Sequence, residues 1–287
     1  QILGDGRGNV LCLGERECSI QRRLQKLIEE APAAGLPESI RTKLYEAAFR
    51  LGHQLNYRGL GTVEFLLDAQ NEFHFIEVNP RIQVEHPVTE MVTGMDLVKE
   101  QLMVALGAPL RMLQDQVELR GAAIEARILA EDPAQDFLPS TGKISFLKEA
   151  GGPGIRIDSA VYQGMQVSAD YDSLLAKIIA WGENRPAAIR RIRRALDEFQ
   201  IGGLATDLEF LKQIINSTRF RAGNITTTYL EEFQPSDAQP ESELERAVAL
   251  AAALYANEHH ERKFSAKTNA LDFWQHTAWQ EQMTGKC

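Results

Sequence analysis

Apolar and polar residues alternate through FIEVNPRIQVEH at residues 75–86. Ile76, Val78, Pro80, Ile82 and Val84 share one parity, and Glu77, Asn79, Arg81, Gln83 and Glu85 share the other. That period predicts a half-buried strand. A second such run, GTVEFLLD at 61–68, precedes it, and the connecting AQNE predicts a hairpin with a four-residue loop. Helical spacing of Ile40, Leu44, Ala47, Ala48 and Leu51 predicts a helix over 37–55. Two more helices follow from Ile189, Ile192, Leu196 and Phe199, and from Leu208, Leu211 and Ile215. Between them, GAAIEARILAED, GKISFLKEAGGPGIRIDSAV and GMQVSADYDSLLAKIIAWG read as strand-rich segments broken by Gly and Pro. A polar, proline-bearing linker, EEFQPSDAQPESE, then leads to an alanine-rich helix predicted from about 241 to 257 and a tail with two tryptophans.

Composition narrows the class. With 287 residues, 44% of them hydrophobic, the chain can bury a substantial core and suits two domains. No apolar run of about 18 residues is present to span a membrane. Cys12, Cys18 and Cys287 are unevenly placed with no C-x-x-C pair, which disfavours a disulfide framework or a zinc site and fits a reducing cytoplasm or mitochondrial matrix. A net charge of −9 argues against a nucleic-acid or anionic-membrane partner. The opening QILGDGRGNVLCLGERE, with neither Met nor signal-peptide character, reads as the interior of a longer protein.

The predicted hairpin raises a chemical question. If Asp68 faces Phe73, Glu64 lies directly opposite Glu77, where two like charges repel. A cation between them removes the conflict, and Asn79 adds an oxygen on the same face. Such hard oxygen ligands suit magnesium or manganese shared with a substrate phosphate. The competing reading is a five-residue loop that takes the glutamates out of register on a solvated face. Glu85 lies eight residues beyond Glu77, roughly 26 Å in an unbroken strand, too far to serve the same small substrate. Pro80 offers a bend, after which Arg81, Gln83 and Glu85 can curl over the site to hold an anion and offer a base.

FIEVNPRIQVEHPVTEMVTGMDLVKEQL at 75–102, GERECSIQRRLQKLIEEAP at 14–32, AIEARILAEDP at 123–133 and YDSLLAKIIAWGENRPAAIRRIRRAL at 171–196 resemble, in the same order, segments of the biotin carboxylase family. The resemblance covers residues 1 to about 233. It implies an α+β fold in which residues 1–115 form the carboxyl-terminal part of an ATP-grasp domain. Residues 116–233 would then form the biotin carboxylase carboxyl-terminal domain, mostly antiparallel sheet with helices, and 234–287 a linker and helical tail. The implied activity uses ATP and bicarbonate to carboxylate biotin on a carrier domain.

Carried over residue by residue, the resemblance makes Glu64 and Glu77 magnesium ligands beside Asn79. It assigns Arg81, Gln83 and Val84 to bicarbonate, and Lys26 to a further anion contact that also serves ATP. Gln21 becomes a nucleotide contact. Glu85 matches the base that takes the bicarbonate proton, and Arg127 the residue that stabilises the enolate of the biotin ureido group. Asp172 matches a position near biotin. Leu24 stands where the family commonly has a polar residue such as histidine.

The family's amino-terminal domain with its glycine-rich lid, and a Met-Lys-Met biotin attachment site, are not found within this sequence. The chain alone is therefore expected to be inactive, with that missing half, a biotin carrier domain, a carboxyltransferase subunit and further copies of itself as partners. The tail after residue 234 is similar to the segment next to the carboxylase unit in acyl-CoA carboxylase α subunits. GGPG at 151–154 is expected to be a turn, the arginines of RRIRR a solvated helix face, and His86 a structural corner. Two other readings stand beside this one: a non-catalytic assembly module, and another ATP-grasp ligase joining a carboxylate to an amine, which needs neither Arg127 nor its segment.

Overall fold

The computed structural model describes residues 1–234 and, beyond them, Ala251 and Tyr255. Most of the predicted linker, the helix expected at 241–257 other than those two residues, and Cys287 lie outside the described residues. No helix among the described residues is long and apolar enough to cross a membrane.

The chain opens with four strands, β1 (Ile2–Asp5), β2 (Val10–Cys12), β3 (Glu17–Arg22) and β4 (Gln25–Ala31). Helix α1 (Glu38–Gln54), the hairpin of β5 (Arg58–Leu67) and β6 (Phe73–Asn79), and helices α2 (His86–Thr93) and α3 (Leu97–Ala105) follow. Then come β7 (Ala122–Leu129) and the short strands β8 (Glu131–Asp132), β9 (Leu138–Pro139), β10 (Gly142–Lys143) and β11 (Phe146–Lys148). The order continues through β12 (Ile155–Ser159), β13 (Gln166–Val167), β14 (Leu174–Gly182), α4 (Arg185–Glu198), β15 (Gln200–Gly202), α5 (Leu208–Asn216), α6 (Thr218–Arg221) and α7 (Tyr229–Glu232).

One antiparallel sheet runs β2-β1-β5-β6. Its period of two sends Ile2 and Val10 to one side with Ala48 and Tyr45 of α1, and Leu3, Leu11 and Leu60 to the other with Leu97 and Val104 of α3. The spacing expected of the first predicted helix is thus real, with Ile40 and Ala48 its buried anchors.

The second sheet, β12-β14-β7-β4-β3, is antiparallel throughout. Ile28, Ile124, Ala126, Ile128, Ile178 and Ala180 face α4 and α5, which return Ile189, Ile192, Leu196, Leu211, Ile214 and Ile215. Phe199, just past α4, is buried in the same core. Each fully buried aliphatic side chain here contributes about 1.5–3 kcal/mol of transfer free energy. Asn184 caps α4 by accepting from the Ala187 N–H, with Pro186 in the first turn.

The opposite face of this sheet is unusual. Ala31, Ala123 and Ile179 pack on Val88 and Val92 of α2, but the neighbouring inward positions are Glu29, Glu125, Arg127 and Lys177. Strands β3 and β4 therefore carry residues 17–31 into a sheet otherwise built from residues 122–182. Residues 1–234 form one compact unit.

Candidate active site

The β5–β6 hairpin does place Glu64 opposite Glu77, though by a different route from the one expected. Its loop has five residues, Asp68 to Glu72, closed by the Asp68 N–H donating to Glu72 O at 3.0 Å. At the loop end Leu67 faces Phe73 and Phe65 faces Phe75. Ile76 is then an extra residue, and beyond it Glu64 faces Glu77 and Thr62 faces Asn79. A bulge thus restores the pairing that the longer loop would have lost.

Asn79 bridges the two carboxylates. Its Nδ2 lies 3.2 Å from Glu64 Oε1 and 2.9 Å from Glu77 Oε1, so both glutamates converge on one atom. Turning the amide over would present its oxygen at that point instead. Two carboxylates and an amide oxygen meeting this closely fit a hard divalent cation. Among the described residues no group of three or more His, Cys, Asp or Glu side chains is gathered for a metal.

Strand β6 ends at Asn79, and the chain bends at Pro80 before α2 begins at His86. The bend carries Glu85 back over the site, where it is 2% exposed. Lys26 Nζ bridges the two parts, 2.5 Å from Glu85 Oε1 and 3.3 Å from Glu64 Oε1. Arg127 Nη2 holds the other oxygen, Glu85 Oε2, at 3.0 Å. Burial acts to raise the Glu85 carboxyl, but Arg16 and Lys26 outweigh it and hold the group below its ordinary value. Glu85 is therefore ionised at neutral pH. Arg127 is fixed from behind by Glu29, which accepts from Nε at 2.7 Å and also meets Nη2.

Gln83 is buried and spends its amide internally, donating to Glu64 Oε1 at 2.8 Å and accepting from Arg16 at 2.8 Å. Val84 contributes its carbonyl, which accepts from Lys177 Nζ at 2.8 Å. Arg81 lies exposed at the rim, donating to Asn79 Oδ1 at 3.4 Å and to Ile82 O at 3.2 Å. Gln21 is the cross-strand partner of Lys26, and Leu24, 89% exposed, caps the tight turn beside it. Asp172 is not drawn into this network. It is exposed and accepts from its own Leu174 N–H, which makes it a loop cap here.

The remaining expectations resolve simply. His86 is a corner residue, its Nδ1 2.9 Å from Gln83 O. Cys18 lies 4.0 Å from Glu85, and burial pushes its thiol up, away from nucleophilic use. GGPG at 151–154 is a turn, with Gly154 at φ 75°. Arg190, Arg193 and Arg194 are solvated, whereas Arg191 is half-buried and donates to Trp181 O.

Sequence reasoning missed Arg16, Glu29 and Lys177. Arg16 ties Gln83 to Thr62, Thr89 and Gln1. A signal existed for the other two, since QKLIEEA and LLAKIIAWG each interrupt an apolar strand with a charge on its inward side.

A family model described as carbamoyl-phosphate synthase L chain, ATP binding domain, matches residues 1–113. One described as biotin carboxylase C-terminal domain matches residues 125–232. The chain is 54% identical over 232 residues to a biotin carboxylase of Nostoc sp., covering 81% of this chain and 52% of that protein. It is 45% identical over 262 residues to the mitochondrial propionyl-CoA carboxylase alpha chain of Caenorhabditis elegans, covering 89% and 36%. Among solved structures, the biotin carboxylase domain of Hydrogenobacter thermophilus 2-oxoglutarate carboxylase, in complex with MgADP, ADP and bicarbonate, superposes with a TM-score of 0.79 at 45% identity. That match covers 80% of this chain and 51% of that one. The chain thus spans about half the length of the Nostoc relative or less of the others. With both domain matches falling on the residues that build the Glu64, Glu85 and Arg127 network, the chain belongs to the biotin carboxylase family.

Proposed function

We propose that this chain supplies the bicarbonate-activating and biotin-facing part of a biotin carboxylase that uses ATP. The observation that carries the reading is Glu85, an ionised carboxylate held between Lys26 and Arg127 and joined through Lys26 to Glu64 of the facing Glu64–Glu77 pair. A ligase joining a carboxylate to an amine has no need of that arginine.

Bicarbonate is a weak nucleophile until it loses its proton, and Glu85 is the base in reach. Lys26 and Arg81 supply the positive charge that holds the anion, with Gln83 and the Val84 backbone shaping the loop around it. The deprotonated oxygen attacks the γ-phosphorus of ATP, the bond to ADP breaks, and carboxyphosphate forms. Carboxyphosphate breaks down to carbon dioxide and phosphate. The phosphate so released takes the proton from the biotin ureido N–H, and Arg127 faces the ureido oxyanion that results while the deprotonated ureido nitrogen attacks carbon dioxide, a role suited to a rigidly held positive charge. Glu64, Glu77 and Asn79 are the residues that would hold magnesium, which when bound neutralises phosphate charge. Gln21 borders the nucleotide side. Asp172, exposed in its loop, remains a contact for incoming biotin.

Biotin would arrive on a carrier domain, and a carboxyltransferase would use the carboxylated product. The test is phosphate release from magnesium-ATP by the whole protein with and without bicarbonate. The reading expects stimulation by bicarbonate, and equal rates would reject it.

A further inference from the structure

On the sheet face that carries Arg127, one carboxylate has no part in the chemistry above. Glu125 of β7 lies directly opposite Glu29 of β4 in the ladder, and both are fully shielded from solvent. Side chains so placed have Cβ atoms about 5 Å apart. Arg127 occupies Oε1 of Glu29. Among the described residues, Oε2 of Glu29 and both oxygens of Glu125 have no hydrogen-bond partner.

Among the described residues, Arg127 and Lys177, the two cations that act on Glu125, are committed elsewhere, as are the further cations of the neighbouring strands and α2. Arg127 on the same strand binds Glu29 and Glu85. Lys177 on β14 pairs with Asp158 of β12 at 3.2 Å and donates to Val84 O. Lys26 on β4 holds Glu85 and Glu64. Arg156 of β12 binds Asp158 and Glu90, and His86 at the start of α2 is turned to Gln83 O and Glu90. Two dry carboxylates facing each other with one counter-ion between them are stable with one proton between them. Since Arg127 is bound to Glu29, the negative charge belongs there and the proton to the other partner.

We infer that Glu125 is a neutral carboxylic acid that donates a hydrogen bond to Glu29, and that this one-proton pair is the positioning device holding the Arg127 guanidinium toward Glu85. Burial first, and then the charge of Glu29, push Glu125 well above the ordinary carboxylate range, in agreement with the geometry. With the proton in place, the pair carries one negative charge against one on Arg127. Its loss at high pH places a second negative charge behind the guanidinium and draws it back from Glu85. The positioning role rests on the function proposed for Arg127, whereas the shared proton does not.

Infrared difference spectra of the purified whole protein at neutral pH test the proton. A protonated buried carboxyl shows a C=O stretch above the carboxylate bands, and Glu125→Gln should remove one such band. Asp207 is a second buried carboxyl pushed well up by burial, so the assignment rests on the wild-type minus Glu125→Gln difference. No difference overturns the inference. Should Glu125→Gln not fold, Glu29→Gln should move the band by exchanging its charged carboxylate acceptor for a neutral amide, and an unmoved band overturns the inference equally. The positioning role is read from the pH profile of biotin carboxylation divided by that of bicarbonate-dependent ATP cleavage. The wild type should lose the ratio on an alkaline limb, and Glu125→Gln should displace that limb to higher pH. A uniform loss at every pH would mark Glu125 as merely structural and overturn the role. If bicarbonate-dependent cleavage is missing altogether, the proposed function fails, while the infrared band still decides the pair.

Discussion

Glu64 and Glu77 face each other across the β5–β6 hairpin because Ile76 bulges out of the ladder between them and the loop. Two carboxylates are thereby brought to within 3.2 and 2.9 Å of one Asn79 amide nitrogen. Removing either charge should weaken magnesium binding. Glu64→Gln or Glu77→Gln is expected to raise the magnesium concentration needed for half-maximal ATP cleavage by at least about tenfold. Unchanged titrations would remove the metal assignment.

The second prediction concerns the order of chemistry at Arg127. With the guanidinium in its proposed role at the later oxyanion, Arg127→Ala should reduce biotin carboxylation by about 10²–10³-fold, and bicarbonate-dependent ATP cleavage much less. It also strips Glu29 and Glu85 of a shared partner, so a loss of about 3–5 kcal/mol in stability should accompany it. Parallel losses in the two rates would refute the assignment.

Lys177 tests how the loop is held. Its ammonium donates to Val84 O and pairs with Asp158, so it anchors the segment that carries Gln83 and Glu85. Lys177→Met should raise KM for bicarbonate several-fold while leaving KM for ATP nearly unchanged. An equal rise in both would show that the segment is held by something else.

The alternating pattern of residues 75–86 revealed a strand and the polar set, because a period of two is local, and Pro80 revealed the bend; the burial did not follow the pattern, since Ile76 is exposed and Gln83 and Glu85 are buried. The partners of that set were not legible in the same way. Lys26, Arg127 and Lys177 come from three strands of another sheet, and only the fold brings the first two to Glu85 and the third to the Val84 carbonyl. The five-residue loop argued for misregister, and a one-residue bulge in the exposed part of β6 reversed it, a detail that no propensity records. Asp172 was expected near the site from resemblance alone, and its own loop uses the carboxylate as a cap. The apolar faces of α4 and α5 were fully readable, since helical period and burial coincide there.

Stability should depend on pH through Glu30. Burial pushes its carboxyl up to about 7, against the pull of Arg185 at 2.9 Å, from an ordinary value of 4.5. A raised carboxyl binds more protons folded than unfolded between those values, so stability falls as pH rises from about 4.5 to about 7. Glu30→Gln should flatten that slope in thermal melts. A slope identical to wild type would place the effect on other groups, Glu29 first among them.

The central claim is that Glu85 is the base that activates bicarbonate for transfer to biotin. The most direct measurement is incorporation of isotopically labelled bicarbonate into free biotin by the whole protein with magnesium-ATP, with phosphate release followed in the same samples. The account predicts labelled carboxybiotin and bicarbonate-stimulated phosphate release from the wild type, and loss of both by about 10²-fold or more in Glu85→Gln. Labelled carboxybiotin formed at the wild-type rate by Glu85→Gln would contradict it.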